Sequence, residues 1–259
     1  MTQPDEAAAT PLADIREEGL RIVRSAAGRG LPVRLLGGVA IWARCPSAAR
    51  PELAREYGDV DIVTPGRSAR EVGRFLESLG YEPDKLFNAL HGAQRMNFMD
   101  AGHDRPLDVL VDRFAMCHAL DLRDRLDLDE LTIPLADLLL TKLQVVKINE
   151  KDLVDLLALL ADHVPDHGPD HGGDAIDLRR VVDVLSADWG FEHTVRANLE
   201  HLRGFAGDRV EPATAERVRA RVAAIEAALT AAPKTLAWKI RSRVGERVRW
   251  YELPEDVRH

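Results

Sequence analysis

Residues 57–64 read YGDVDIVT. The run from Val60 to Thr64 is rich in β-branched residues and follows a glycine, which predicts a strand. Asp59 and Asp61 stand two apart at its start. Strand side chains alternate faces, so both carboxylates share one side, with Cα atoms about 6.5–7 Å apart. Two ionised acids this close repel each other, and burial raises the cost. A divalent cation removes the conflict, because Mg²⁺ takes carboxylate oxygens together with substrate phosphates. Solvated acids at the start of an edge strand are the plainer account, and the pair alone does not separate the two.

Upstream, LPVRLLGG (31–38) reads as a short strand ending in Gly37-Gly38, and VAIWARC (39–45) as a helix opening directly from those glycines. Glycine lets a backbone approach a phosphate, and the start of a helix offers free N–H groups to an anion. PSAARPELAREYG (46–58) is a proline-interrupted connection. Downstream come a turn at Pro65-Gly66 and a helix over about 67–79. Residues 80–114 read as strands joined by turns, with AQRMNFM and RPLDVLVD the clearest and AGHD as a hairpin loop. Asp108 interrupts the second of these strands and shares a face with Leu110 and Asp112, opposite Leu107, Val109 and Val111. If this strand lies beside that of Asp59 and Asp61, three carboxylates converge, as two-metal phosphoryl transfer requires.

The character changes near residue 120. TIPLADLLLTKLQVVK predicts a helix starting at Pro134, and NEKDLVDLLALLADH a second one capped by Asn149. Lys142 lies within the first, strongly apolar helix. It either snorkels to solvent or reaches the β- and γ-phosphates of a nucleotide as a point charge. After a loop at 163–173, the chain reads as helical to about 250. The expected fold is α+β: residues 1–130 form a small mixed β-sheet with flanking helices, the first 11 residues being disordered, and residues 131–259 form an all-helical region.

The 259-residue chain is 46% apolar and carries a net charge of −8, which argues against a general nucleic-acid coat. No apolar run approaches the ~20 residues that span a bilayer, and the acidic N-terminus has no apolar signal core. Cys45 and Cys117 form no metal-type spacing, so the expectation is a reduced, cytoplasmic protein without a membrane partner.

Taken together, the LLGG turn with the helix after it, the GDVDIVT strand and the LDVLVD strand resemble the nucleotidyltransferase superfamily with the polymerase-beta-like fold. The PLADLLLTKLQ…NEKDLVDLLAL helices look like those of its AbiEii-like branch, which includes toxin components of toxin–antitoxin pairs. The resemblance covers roughly residues 31–162. It implies transfer of a nucleoside monophosphate from an NTP such as ATP to a hydroxyl acceptor, an RNA, a protein or a small molecule, with release of pyrophosphate. By the same resemblance Asp59, Asp61 and Asp108 would be catalytic and bind Mg²⁺ or Mn²⁺, and Gly37 and Gly38 would cradle the phosphates. Lys142, with Asp152 or Asp155, would fit a functional lysine–aspartate pair, and an antitoxin protein is the partner implied. Two features depart from the pattern: the gap from Gly38 to Asp59 is long, and Gly38 stands where a small hydroxyl residue is usual.

Other readings remain open. A non-catalytic module on the same fold would bind nucleotide or a partner without turnover. DVDIVT also fits a haloacid-dehalogenase-like phosphatase, but there the acid ends a hydrophobic strand, whereas here the apolar run follows the acids. A D-x-D glycosyltransferase would need several βα units before the motif. DHVPDHGPDHGGD (162–174) spaces His163, His167 and His171 four apart, yet its prolines and glycines forbid a helix, leaving a low-complexity loop or a weak Zn²⁺ or Ni²⁺ chelator. Lys234, Lys239, Arg241, Arg243, Arg247 and Arg249, interleaved with Trp238, Trp250 and Tyr251, form either an RNA-binding patch or a packed amphipathic segment. His91 and Arg95 are placed to reach the acids from a neighbouring strand.

Overall fold

A computed structural model describes residues 10–166 and 174–252. The elements run α1 (Ile15–Ala27), β1 (Arg34–Leu36), α2 (Gly37–Arg44), β2 (Val60–Thr64), α3 (Ala69–Ser78), β3 (Glu82–Pro83), α4 (Lys85–His91), β4 (Arg95–Asp100), β5 (Arg105–Val111), β6 (Arg113–Ala115) and β7 (Ala119–Asp121). Then follow α5 (Leu135–Leu143), α6 (Glu150–Asp162), β8 (Val164–Asp166), β9 (Ala175–Asp177), α7 (Leu178–Ala187), α8 (Trp189–Arg209), α9 (Pro212–Ala231) and α10 (Leu236–Val244). The protein is α+β, and its contacts divide it into two compact units. Among the described residues, one comprises 10–43, 56–114 and 121–133; the other comprises 44–55, 115–120, 134–166 and 174–252.

The first unit holds a mixed five-stranded sheet of order β1-β2-β5-β4-β3. Only β2 and β5 run parallel; β1, β4 and β3 each pair antiparallel with their neighbours. The outer edge of β1 is covered by the segment around Thr132, through Leu35 N–H to the Leu131 carbonyl and Ile133 N–H to the Leu35 carbonyl. Alternation sorts the sheet into two faces. Leu35, Ile62, Val109, Met96 and Phe98 are buried on one face. There α1 lies so close that a Cβ on Gly19 would meet Leu35, and Gly73 of α3 stands against Met96 and Phe98. The other face carries Asp61, Asp108, Asn97 and Arg95, all half-buried. In the same unit, fully buried Glu18 is satisfied by Arg21, by the Tyr81 hydroxyl at 2.7 Å and by the Leu12 N–H.

In the second unit α5, α6, α8 and α9 share a core of Leu138, Leu139, Leu157, Leu160, Leu199, Val222 and Ile225. The LLALLA run of α6 is buried on every side, as its continuous apolar character requires. Asn149 caps α6 by accepting from the Asp152 N–H, and Pro134 opens α5. Asn198 of α8 donates to the Leu143 and Val145 carbonyls, which satisfies the end of α5.

Two expectations need correction. Residues 80–114 contain a helix, α4, which Asp84 caps by accepting from the Phe87 N–H. None of its residues is buried, and its seven residues are too few for a helical period to stand out from the surrounding strand pattern. The C-terminal region is not all helical either, since β8 and β9 form a short parallel pair. The expected disorder at 1–11 falls largely on residues outside the described ones; Pro11, which is described, is buried. Among the described residues no helix is long and apolar enough to cross a membrane.

Candidate functional site

β5 lies directly beside β2, which is the condition for the acids to converge. In the parallel register Asp61 is the Cα partner of Asp108, and the same row runs outward to Leu36 on β1 and Asn97 on β4. Alternation therefore puts Asp61, Asp108 and Asn97 side by side on three adjacent strands of one face. Asp59 is exposed and precedes the first residue of β2. The acids thus sit at the N-terminal start of β2, opposite to what the phosphatase reading needs.

Gly37 closes this row from the side. It turns the chain from β1 directly into α2 at a φ of 68°, a left-handed conformation that favours glycine. A Cβ there would stand 2.0 Å from Asp61 Oδ2, so the absent side chain is what lets the carboxylate lie against the turn. Gly38 follows in the first turn of α2.

Arg95 supplies the local positive charge. Its Nη2 lies 2.7 Å from Asp108 Oδ2 and its Nε 3.3 Å from Oδ1, a forked pair across β4 and β5. Beside it the Oδ1 of Asn97 is a buried acceptor without a hydrogen-bond partner. Among the described residues no group of three His, Cys, Asp or Glu side chains is gathered to hold a metal ion. Asp59 stands out in solvent, and Asp108 is turned toward Arg95. Arg95 is legible from the alternation of RMNFM, and Asn97 follows from the same period. Only the pairing of β4 with β5 shows that both face Asp108.

The second unit gathers Lys142, Asp152 and Asp155 by itself. Asp152 and Asp155 are three apart on α6 and so share a face. Lys142 Nζ, from the last turn of α5, lies 2.8 Å from Asp152 Oδ1 and 2.9 Å from Asp155 Oδ2. Burial alone would depress this ammonium, but the charges and hydrogen bonds of Asp155 and Asp152 outweigh it and hold the pKa above the ordinary lysine range. Arg55 completes the cluster with a fork onto Asp155, both contacts at 2.8 Å. Nothing in the proline-interrupted stretch around Arg55 signals this role. A depression of about 500 Å³ beside it is lined by Arg55, Asn149, Glu150, Lys151, Val154 and Arg209.

Two further motifs contribute some of their residues to packing. His163 is buried, with Nδ1 on the Asp174 carbonyl and Nε2 on the Arg44 carbonyl, whereas His167 and His171 lie outside the described residues. In the basic C-terminal segment, Lys234 and the Trp238 indole both bond Glu192, and the Trp250 indole bonds Thr194. Arg241 donates to the carbonyls of Gly245 and Val248, while Lys239, Arg243, Arg247 and Arg249 remain exposed. No family model matches the chain, and no curated protein matches it.

Proposed function

We propose that the sheet-bearing unit is the catalytic part of a metal-dependent nucleotidyltransferase. It would move a nucleoside monophosphate from an NTP to a hydroxyl acceptor and release pyrophosphate. The observation that carries this reading is the pairing of Asp61 with Asp108 on adjacent parallel strands, with the Gly37 turn against Asp61. This sets the Asp61 carboxylate against the start of α2, with Asp108 beside it on the next strand.

The donor set fits Mg²⁺ or Mn²⁺. Carboxylate oxygens are the hard ligands these ions prefer, and the partnerless Asn97 Oδ1 adds a neutral oxygen in the same row. Asp61 and Asp108 would hold the ion, with Asp59 reaching in from the exposed side. When bound, the ion would neutralise the triphosphate and acidify the attacking hydroxyl. The backbone of Gly37 and Gly38 would meet the phosphates at the start of α2, where N–H groups are unpaired by the helix itself. Asp108 would draw the proton from the acceptor hydroxyl. Positioning and charge neutralisation would supply most of the rate, as in other phosphoryl transfers.

A non-catalytic nucleotide-binding module is the second reading, and one observation favours it: Asp108 is already neutralised by Arg95. Incubation with each labelled NTP, Mg²⁺ or Mn²⁺, and RNA, protein extract or aminoglycosides separates the two. Label should move to one acceptor class, and Asp61→Asn or Asp108→Asn should abolish the transfer. Full transfer by either variant would sink the assignment, and nucleotide binding without transfer would favour the second reading.

A further inference from the structure

We infer that Arg95 is a positioning residue that guards the carboxylate pair: it holds Asp108 until a divalent cation is loaded, then turns to the triphosphate. The inference rests on the nucleotidyl-transfer reading. Arg95 pairs in register with Leu110, two residues along β5 from Asp108, a diagonal neighbour within reach of a long side chain. Its fork occupies both oxygens of Asp108. A guanidinium offers only donors, so it can yield those oxygens only by moving.

Moving is easy here. The side chains of Arg95 and Asp108 are 35% and 20% exposed, and ion pairs this open contribute little to stability. Asp108 brings one negative charge to this face, and Arg95 cancels it. Once released, Arg95 remains a fork-shaped cation on the same sheet face, and phosphate oxygens match that fork. The pair therefore keeps Asp108 in place without metal and releases a phosphate ligand with metal. Cation and nucleotide should consequently bind with positive coupling.

Calorimetric titration of Mn²⁺ into the whole chain, without nucleotide, tests this with the wild type, Arg95→Gln and Arg95→Lys. Removing one charge from roughly 7 Å of a divalent ion in a water-like dielectric should tighten Mn²⁺ binding by about five- to tenfold in Arg95→Gln. Its KM for the metal–NTP complex should rise at least about tenfold, with kcat changing less. Arg95→Lys should return Mn²⁺ affinity to the wild-type value but restore KM only in part, because it lacks the fork. In the wild type, the Arg95 Nε–H resonance should lose its protection from solvent exchange when Mg²⁺ is added. That readout needs no variant to fold. If the wild type binds Mn²⁺ and transfers label, but Arg95→Gln binds Mn²⁺ no more tightly or the resonance does not change, the inference alone fails. If the wild type neither binds Mn²⁺ nor transfers label, the transferase reading fails and takes the inference with it.

Discussion

Replacing Gly37 with alanine separates two costs that coincide at the turn from β1 into α2. The backbone there has a φ of 68°, which costs an alanine about 1 kcal/mol. The new Cβ would also stand 2.0 Å from Asp61 Oδ2, whereas ordinary contact begins at 3.4 Å, so one of them must retreat by the difference of 1.4 Å. Pushing the Asp61 side chain off its rotamer adds about 0.5–1.5 kcal/mol. Gly30 is the control: its φ is 70°, and a Cβ there meets nothing within 4 Å. Urea unfolding should show a loss of about 1 kcal/mol for Gly30→Ala and about 2–3 kcal/mol for Gly37→Ala. The functional difference should be larger. A carboxylate misplaced by more than 1 Å should lower transfer by roughly 100-fold. Gly30→Ala should leave transfer and Mn²⁺ affinity unchanged. Equal stability losses, together with full transfer by Gly37→Ala, would refute the claim that this glycine exists to admit the Asp61 carboxylate.

Two further outcomes follow from buried charge. Lys142→Met strands Asp155, which is 2% exposed and would retain only Arg55, so unfolding should come about 2–4 kcal/mol sooner by denaturant titration; a loss under about 0.5 kcal/mol would show that the cluster is not held by its charges. His118 stacks on Phe191, and its Nε2 faces Thr194 Oγ1, whose own proton goes to the Gly190 carbonyl, so the ring donates from Nε2. Burial lowers its pKa to about 4, so its contribution to stability is fully present above about pH 6.5 and is lost as pH falls through about 4. The loss approaches about 3 kcal/mol in acid, and His118→Phe should flatten that part of the stability–pH curve; an unchanged curve would refute the assignment.

Much of the sheet is legible from local pattern. The alternation of DVDIVT and RPLDVLVD assigns Asp61 and Asp108 to the less apolar side of their strands, because the period of two follows from backbone geometry alone. Pro134 and Asn149 mark helix starts for equally local reasons, since each affects only the first turn. α4 escapes the same reading because it is only seven residues long, and its apolar pair Leu86 and Leu90 packs nowhere, at 73% and 71% exposed. β8 and β9 escape it because three-residue strands are too short to show a period.

What the sequence by itself determined is therefore the type of chemistry available: paired acids at the start of a strand, a glycine turn into a helix, a third acid on another strand, and a lysine ahead of two aspartates. Tertiary structure decided which of these groups meet. The register that sets Asp61 against Asp108 joins segments 47 residues apart and depends on how whole strands bury their apolar faces. The same holds for Arg95 on Asp108, for Arg55 on Asp155, and for Lys234 and Trp238 turning inward to Glu192. Each acid gains a partner whose distance along the chain leaves no local trace, because side-chain periodicity records which way a residue points and not what the fold brings opposite it.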